Sequence, residues 1–377
     1  MTDIFKLENV TFRHTPTAPI VLNGMDLVIE EGTRNAILGA NGVGKTTMFY
    51  TLTGVHKPQE GTVYNRDVPV EYTKDGLRSL RSDVAVVLQN PDEQIFCSLV
   101  EEDIAFGPLN LGLERDEVER RVSKAMRDVR MSEFARRPLQ QLSGGQRKRV
   151  AIAGALAMEP KIMIMDEPTA GLDPQASMEV MELAEKLHLM GVTVLISTHD
   201  IDIVYKWADQ SYVLYGGKVE FAGHIDEFYS NPERVYRCGL LTPSMFNMNR
   251  DISMLDGMDV APYPRNCCEF TAKFGKPSRS GKVLCVPVEE EEALGKYEEV
   301  MKDMNGVPAG VYGPDARFAL RSKELEYQFD AIDSCFTDAV RGKDAVLFHD
   351  PIYSKTIEEQ VEKLKAIGFD ADVEVVR

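Results

Sequence analysis

The sequence GANGVGKT at residues 39–46 indicates the fold class, because it places a glycine-rich turn between an apolar strand and a helix. The run 35–38 in front of it predicts a short buried strand, and residues 45–52 behind it predict a helix that ends by Gly54. This strand–turn–helix order is the structural context that a phosphate-binding loop requires. We therefore predict an α/β domain built around a nucleotide site.

The chemistry of the loop follows from its residue types. Its glycines allow backbone N–H groups to turn inward around a phosphate chain, where side chains would block the approach. Lys45 is expected to reach the β- and γ-phosphates, Thr46 to give its hydroxyl to Mg²⁺, and the positive end of the helix to attract phosphate. A glycine-rich turn without a ligand is the alternative, and the complete motif argues against it. The predicted ATP-binding residues are Gly39, Ala40, Asn41, Gly42, Val43, Gly44, Lys45, Thr46 and Thr47.

Two later apolar runs end in polar side chains that suit hydrolysis. Residues 162–165 predict a buried parallel strand, and Asp166 and Glu167 follow at its carboxyl end. Asp166 is expected to hold Mg²⁺, directly or through water, and Glu167 to polarise the attacking water as general base. The run 192–197 predicts another strand, and His199 after it can meet both the γ-phosphate and the general base.

Composition and charge limit the classes of protein that this chain can be. Its 377 residues, 44% hydrophobic and 27% charged, suffice for two globular domains. A net charge of −17 argues against a duplex-binding protein, so we predict no nucleic-acid partner. Neither a long apolar run nor a basic-then-apolar leader is evident, so we expect no membrane span or signal peptide and a cytoplasmic location. Six scattered cysteines suit the reduced thiols of that compartment.

Five motifs follow one another in a fixed order along residues 1–240. They are GANGVGKT at 39–46, Gln89, LSGGQ at 142–146, IMIMDEP at 162–168 and STHD at 197–200. With LSGGQ as its signature, the region resembles the ATPase subunit of an ATP-binding cassette (ABC) transporter. The resemblance implies a P-loop domain with a mixed-sheet core, an antiparallel β subdomain and a helical subdomain. Alternating apolar residues over 4–12 and 21–29 also predict the antiparallel sheet.

The resemblance further implies that one chain cannot form a complete site. The signature, with Ser143 as N-cap of a helix over 146–158, would close over ATP held by a second subunit in a head-to-tail dimer. This trans site comprises Ser143, Gly144, Gly145 and Gln146. Asp173 matches the loop that links the two sites, and the second subunit is a second copy, which we favour, or a paralogue. His14 stands where the family carries an aromatic residue that stacks on adenine, and Phe12 is the other candidate.

The segment QNPDEQIFCSLVEEDIAFGPLNLGL at residues 89–113 narrows the family. It resembles the same region of energy-coupling factor transporters, the cobalt/nickel and vitamin importers. The resemblance implies that Gln89 touches the catalytic Mg²⁺ and water, and that a groove after it receives coupling helices of the transmembrane subunit. An amphipathic helix packed on its own domain would explain the apolar residues equally well. The groove residues, which suit a partner helix with apolar and basic side chains, are Ile95, Phe96, Leu99, Val100, Glu93, Glu101, Glu102 and Asp103.

These motifs predict a peripheral ATPase at the cytoplasmic face of the cell membrane, with ATP as substrate and Mg²⁺ as cofactor. It would power an importer together with an energy-coupling transmembrane subunit and a membrane substrate-binding subunit. Cobalt or nickel is the favoured cargo, and a vitamin is the alternative. A soluble ABC ATPase of repair, translation or cofactor assembly is a rival function, against which the segment 89–113 argues. A nucleotide-gated scaffold is another, against which the catalytic residues argue.

Residues 241–377 carry weaker signals. We predict a linker and entry segment over 241–280 and a small three-layer α/β domain with a parallel sheet over 281–377. Predicted strands cover residues 283–288, 308–312, 325–329, 345–349 and 372–376. Predicted helices cover residues 289–305, 314–321, 330–340 and 356–367.

Three roles compete for this extension, which resembles one found in ATPases of the cobalt/nickel branch. Packing or dimerisation ranks first, ahead of regulation by a bound ligand and a response to metal. The soft ligands that metal binding would use are Cys267, Cys268, Cys285, Cys335 and His349. Cys285 and Cys335 lie on apolar faces, where cysteine usually acts as a small hydrophobic residue. The turn GPDAR at 313–317 could also hold an anion at a helix start.

Overall fold

The computed structural model describes residues 3–275 and 279–376. Its contacts divide the chain into two compact units, Met1–Thr242 and Pro243–Arg377, close to the boundary predicted at residue 240. Each unit has its own sheet structure and its own apolar core. No helix in these two described stretches is long and apolar enough to cross a membrane.

The first unit mixes strands and helices. Its strands are β1 (Asp3–Phe12), β2 (Leu22–Glu30), β3 (Arg34–Leu38), β4 (Glu60–Asn65), β5 (Val68–Pro69), β6 (Val84–Val87), β7 (Ile162–Asp166), β8 (Thr193–Ser197), β9 (Gln210–Tyr215) and β10 (Lys218–His224). Its α-helices are α1 (Lys45–Leu52), α2 (Lys74–Asp83), α3 (Val100–Asn110), α4 (Arg115–Asp128), α5 (Gly144–Leu156), α6 (Pro174–Leu189), α7 (Ile201–Trp207), α8 (Ile225–Tyr229) and α9 (Pro232–Arg237). β3 and α1 flank the phosphate loop, which confirms the order on which the fold prediction depends.

The strands of the first unit form two sheets. An antiparallel sheet has the order β2-β1-β4-β5, as the alternating sequence at the start of the chain predicts. The other sheet has the order β10-β9-β3-β8-β7-β6 and is parallel except for the β9–β10 pair. All residues of β3, β7 and β8 are buried, because both faces of a central parallel strand are covered. The predicted mixed-sheet core is confirmed.

One apolar core joins the two sheets through α1. Phe5 of β1, Phe49 of α1 and Ile164 of β7 are each at most 1% exposed and belong to it. Fully burying a side chain of this size contributes about 1.5–3 kcal/mol. Because β3, β7 and β8 are parallel, their carboxyl ends meet at the same edge of the sheet. The phosphate loop and the polar residues that follow β7 and β8 are thereby brought together.

Helices α3, α4 and α5 pack against one another and form the helical part of the unit. α4 buries Val118, Val122 and Ala125, which share one face of the helix. α5 begins after Ser143, whose Oγ accepts a hydrogen bond from the Gln146 N–H, while Gln146 Oε1 accepts one from the Ser143 N–H. This capping box confirms Ser143 as the N-cap of the helix.

The second unit is a three-layer α/β domain, as predicted. Its strands are β11 (Lys282–Pro287), β12 (Ala309–Tyr312), β13 (Ala345–His349) and β14 (Asp372–Val375). Its helices are α10 (Ser244–Asp256), α11 (Cys267–Gly275), α12 (Ala293–Asp303), α13 (Pro314–Ala319), α14 (Ala331–Val340) and α15 (Ser354–Ile367). The strands form a parallel sheet in the order β12-β13-β11-β14. α12 and α13 cover one face, and α11, α14 and α15 cover the other.

Residues 241–280, predicted as a linker and entry segment, contain α10 and α11, and Cys268 of α11 is fully buried in the core with α14. One prediction for the second unit is wrong. Residues 325–329 do not form a strand. Within this described stretch Tyr327 is the residue that pairs with β12, through backbone hydrogen bonds with Ala309 and Val311. The chain then turns into α14 at Asp330, whose φ is +52°.

Several of the residues considered for metal or anion binding in the second unit have structural roles. Cys285 and Cys335 are fully buried in the core, and burial raises the pKa of both thiols. In the part of the chain that the structure describes, no three His, Cys, Asp or Glu side chains gather as a metal site requires. At the GPDAR turn, the Asp350 carboxylate accepts hydrogen bonds from the N–H groups of Asp315 and Ala316. The chain itself therefore supplies the anionic group at that helix start.

Candidate functional site

A cavity of about 350 Å³ lies at the carboxyl edge of the six-stranded sheet. Its lining comes from the phosphate loop, from α1, from the ends of β7 and β8, and from two other segments of the first unit, the connection between β1 and β2 and the loop after β6. The lining residues are His14, Val21, Asn41, Gly42, Gly44, Lys45, Thr46, Thr47, Gln89, Asp166, Glu167 and His199. All the residues predicted for catalysis or Mg²⁺ belong to this set. Of the predicted ATP-binding residues, Gly39, Ala40 and Val43 lie outside it.

The phosphate loop has the backbone conformation that its glycines allow. Gly42 and Gly44 have φ values of +76° and +111°, in the left-handed region that residues with a side chain rarely adopt. At Gly39 a side chain would collide with a neighbouring group, because a Cβ there would lie 2.8 Å from the Leu214 carbonyl oxygen. A side chain is therefore disfavoured at Gly42 and Gly44 by the backbone conformation and at Gly39 by a close neighbour.

Lys45 lies at the base of the loop and is 7% exposed. Its Nζ donates hydrogen bonds to the carbonyl oxygens of Gly39 at 2.8 Å and Ala40 at 3.4 Å. Burial lowers the pKa of its ammonium group, and the carboxylates of Glu167 and Asp166 act in the opposite direction. The loop therefore holds a cation beside the N–H groups that would surround an anion.

The Asp166 carboxylate is fixed through both of its oxygens. Thr46 Oγ1 donates to Oδ2 at 2.5 Å, and Ser197 Oγ donates to Oδ1. Asp166 is 3% exposed, so these contacts replace most of its hydration. Ser197 opens the STHD motif at the carboxyl end of an apolar strand, but it was not predicted as a site residue. Because Mg²⁺ prefers oxygen ligands, the meeting of the Thr46 hydroxyl with the Asp166 carboxylate fits that ion.

Glu167 is held in a strained conformation next to His199. Its φ of +48° is left-handed, which costs about 1–3 kcal/mol for a residue with a side chain. Its N–H donates to the Ser197 carbonyl at 3.0 Å, which fixes the main chain. Its Oε2 accepts a hydrogen bond from the His199 N–H at 3.1 Å, and His199 Nε2 lies 3.2 Å from Oε1. The predicted base is thus buried and paired with a half-exposed imidazole.

Gln89 lines the cavity from the loop after β6, and Lys148 of α5 holds its main chain. Lys148 is 2% exposed, and its Nζ donates to the carbonyl oxygens of Leu88 at 2.8 Å, Gln89 at 3.0 Å and Glu167 at 3.4 Å. Burial lowers the pKa of Lys148 to about 8, against the effect of nearby carboxylates. This lysine was not predicted from the sequence. The one indication of its burial is its position four residues before the buried Ile152, on the same face of the helix.

Of the two candidates for adenine contact, His14 lines the cavity and Phe12 belongs to the apolar core. Phe12 is 7% exposed and stacks on His56, with 4.4 Å between the ring centroids. His14 is exposed and meets the rings of Phe12 and His56 edge-on at 5.3 Å and 5.4 Å. Val21 lines the cavity as well, and it was missed because it carries no motif.

The signature residues and Asp173 lie outside this lining. Gly144 and Gly145 form the first turn of α5, and a Cβ at Gly144 would meet no heavy atom of the described residues within 4 Å. Asp173 caps α6, because its Oδ1 accepts a hydrogen bond from the Ala176 N–H at 2.8 Å. Their predicted contacts with ATP in a second subunit stay predictions.

The groove predicted after Gln89 is exposed in part. Val100 is fully buried, so it is a core residue. Asp103 Oδ1 accepts hydrogen bonds from two backbone N–H groups, at Phe96 and Cys97, and Glu102 accepts one from the Leu99 N–H. These two carboxylates fix the backbone of their own segment, and the expectation that they face a partner helix stays a prediction.

An exposed apolar patch remains in the same segment. Phe96 and Phe106 pack edge to face with 4.6 Å between centroids and are 64% and 44% exposed. Leu109 is 55% exposed. Phe106 and Leu109 lie three residues apart on α3 and were not among the predicted groove residues. We call Phe96, Phe106 and Leu109 the α3 patch.

Comparison with known sequences agrees with this geometry. The family model described as ABC transporter matches residues 22–170. The energy-coupling factor transporter ATP-binding protein EcfA of Methanocaldococcus jannaschii is 42% identical over 257 residues, which cover 68% of this chain and 92% of that protein. The protein EcfA2 of Methanospirillum hungatei is 32% identical over 358 residues, 92% of this chain and 89% of that protein. The second match therefore extends into the second unit.

Comparison with solved structures gives the same fold for the first unit. CbiO1 of Clostridium perfringens, described as part of the ABC transporter complex CbiONQ, has a TM-score of 0.57 and 36% identity, over 68% of this chain and 100% of that one. A dimeric ATP-binding cassette in a post-hydrolysis state, bound to ADP and Pi, has a TM-score of 0.54 and 30% identity, over 59% and 98% of the two chains.

Proposed function

This chain belongs to the ABC transporter family as an ATP-hydrolysing subunit of energy-coupling factor type, and we propose that it drives import of a transition-metal ion, cobalt or nickel, through membrane partners. The observation that supports a working ATPase is the convergence of its ionisable residues on one cavity. Lys45, Asp166, Glu167 and His199 line it together with Gln89. They come from four separate segments of the chain, and the parallel sheet places them at one edge.

In the proposed mechanism the residues divide the work between binding and activation of water. The phosphate loop and Lys45 bind the phosphate chain through N–H groups and positive charge. Glu167 takes the proton of the attacking water as general base. His199 holds the Glu167 carboxylate through two contacts and orients it toward the γ-phosphate. His14 lies against the adenine ring, since the other exposed imidazole of the lining, His199, contacts Glu167.

The residues present fit a magnesium ion that accompanies ATP. Thr46, Asp166 and Gln89 would hold it, and all three offer oxygen atoms at the cavity wall. The ion would neutralise charge that develops on the phosphate oxygens. Ser197 keeps the Asp166 carboxylate turned toward Thr46, so the two oxygens are placed before any ion arrives.

We propose that the working unit is a head-to-tail dimer, most simply of two copies. The supporting observation is that residues Ser143–Gln146 lie outside the chain's own cavity, while the start of α5 is sterically open. A helix start with exposed N–H groups suits the phosphates of a nucleotide held by another subunit. Asp173, at the cap of α6, would lie in the loop that links the two sites.

The α3 patch is the proposed docking surface for the transmembrane partner. Its three apolar side chains are exposed, and the acidic Glu93 and Glu101 lie in the same segment. A partner helix with apolar and basic residues would complement both. A metal cargo is supported by the resemblance of the C-terminal extension to the one found in ATPases of the cobalt/nickel branch. A vitamin is the alternative cargo, and the identity of the captured substrate-binding subunit would distinguish the two.

The test captures the partners of a hydrolysis-deficient variant. Tagged Glu167→Gln protein is mixed with ATP and detergent-solubilised host membranes, and the proteins that co-purify are identified by mass spectrometry. We expect a polytopic membrane protein together with a small membrane substrate-binding protein. Adding Phe96→Glu should abolish the capture, whereas Val68→Glu, at an equally exposed valine of β5, should not. Recovery of soluble partners alone would contradict the importer and favour a soluble ABC ATPase.

A further inference from the structure

Lys148 is a buried cation that contacts no acidic side chain within hydrogen-bonding distance in the described structure, and three carbonyl oxygens surround it. Its ammonium group donates to Leu88 and Gln89, in the loop after β6, and to Glu167, after β7. An ammonium group has three N–H donors, so the three acceptors match its capacity. Burying such a charge is costly unless it is hydrogen-bonded, which makes this arrangement more than an incidental surface contact.

The two loops that Lys148 joins are the ones that carry the groups around the attacking water. Gln89 and Glu167 both line the cavity, although 78 positions of chain separate them. Lys148 itself lies outside the lining and acts on their main chain from behind. A displacement of reacting groups by about 1 Å can cost on the order of 100-fold in rate.

Other contacts connect the same loop to α5. Gln94 accepts a hydrogen bond from the Leu88 N–H at 2.9 Å and donates to the Ala151 carbonyl at 3.3 Å. Arg147 lies 2.8 Å from the Asp92 carboxylate. The loop after β6 is therefore attached to the first turns of α5 at several points, and Lys148 is the contact that also reaches Glu167.

We propose that Lys148 is a positioning residue for hydrolysis, which holds the main chain at Gln89 and Glu167 in one fixed arrangement with the start of α5. Movement of α5 would then be transmitted to both cavity residues at once. The proposal rests on the catalytic roles proposed above for Gln89 and Glu167. It assigns no contact with ATP to Lys148, so its loss should affect turnover and leave nucleotide affinity nearly unchanged.

The test separates turnover from binding in the full-length protein. Lys148→Met removes all three donors, Lys148→Arg retains charge and donors, and Arg149→Met is the matched control. Arg149 is the next residue of α5, and it pairs with Glu179 at 2.6 Å instead of the cavity loops. For each variant, kcat and KM are measured with MgATP. The Kd for MgATP is measured in a Glu167→Gln background, where hydrolysis does not interfere.

We expect Lys148→Met to lower kcat by about 10- to 100-fold while Kd changes by less than about threefold. Lys148→Arg should recover a large part of kcat, and Arg149→Met should resemble the native protein. A Lys148→Met kcat within about twofold of native would overturn the proposal. An equal loss of kcat and of MgATP affinity in Lys148→Met that Lys148→Arg does not restore would also overturn the proposal, because a general structural role would produce that pattern. Failure of the proposed function would look different, since Glu167→Gln would then hydrolyse ATP normally.

Hydrogen exchange of Lys148→Gln provides a second measurement if the methionine variant does not fold. Amides of residues 88–97 and 166–168 should exchange faster than in the native protein, and those of β1 should exchange at the native rate. Unchanged exchange in both loops would show that Lys148 does not hold them and would overturn the proposal.

Discussion

Replacing Ser197 by alanine should slow ATP hydrolysis while the fold remains intact. The Ser197 hydroxyl donates to the Asp166 carboxylate and accepts from the Glu167 N–H at 3.2 Å, so one oxygen aligns both acidic residues. A hydrogen bond to a charged group contributes about 1.5–3 kcal/mol. At about 1.4 kcal/mol per factor of ten, its loss should lower kcat on the order of 10- to 100-fold. The fold tolerates the change, because the Glu167 N–H also donates to the main-chain carbonyl of residue 197 at 3.0 Å.

The assay compares Ser197→Ala with Ser211→Ala, a matched serine in the same sheet. Both side chains are fully buried, but the Ser211 hydroxyl bonds to the Gly223 carbonyl at 3.3 Å and does not line the cavity. Steady-state hydrolysis at saturating MgATP and unfolding in urea are measured for both variants. Ser211→Ala should keep the native kcat. Hydrolysis by Ser197→Ala within about twofold of the native rate, or an equal loss of activity in both variants, would show that the Ser197 hydroxyl does not align the two acidic residues for catalysis.

Glu167→Gln should lower hydrolysis by about 10²- to 10⁴-fold, the scale of a lost general base, and light scattering should find the ATP-bound protein as a dimer. A monomer with ATP bound would contradict the shared site. His14→Ala should weaken ATP binding in a titration without loss of stability, whereas Phe12→Ala should cost about 3–5 kcal/mol of unfolding free energy, as for other buried phenylalanines. The opposite pattern would make Phe12 the adenine contact. Burial lowers the pKa of His349, so the unfolded chain binds its proton more tightly, and stability should fall as the pH drops below about 6.5. Urea unfolding at pH 7.5 and 5.5 should show a smaller fall for His349→Gln, and an equal fall in both proteins would exclude His349 as its source.

The motif-bearing part of the site could be predicted because each motif stands at the end of a strand. Parallel strands align their carboxyl ends, so Lys45, Asp166 and His199 had to meet once the strands were identified. The contribution of Lys148 could not be predicted in this way. Its main acceptor, the Leu88 carbonyl, is 60 residues away in the sequence and becomes a neighbour only through the packing of α5 against β6.

Local patterns misled where tertiary contacts decided the outcome. Residues 325–329 have the apolar and aromatic composition of a strand. Within that described stretch, however, only Tyr327 pairs with the backbone of β12. The alternation of strands and helices across the rest of the second unit was sufficient to predict its parallel sheet.

Uptake by the purified complex in proteoliposomes would show whether this chain powers a metal importer. The protein is co-reconstituted with the membrane partners captured by Glu167→Gln, and accumulation of Co²⁺ and Ni²⁺ is followed with and without MgATP on the side of the ATPase. We expect accumulation that requires ATP and disappears when Glu167→Gln replaces the native protein. ATP hydrolysis without accumulation of either metal would contradict a metal importer, and accumulation that persists with Glu167→Gln would contradict the proposed role of this chain in driving it.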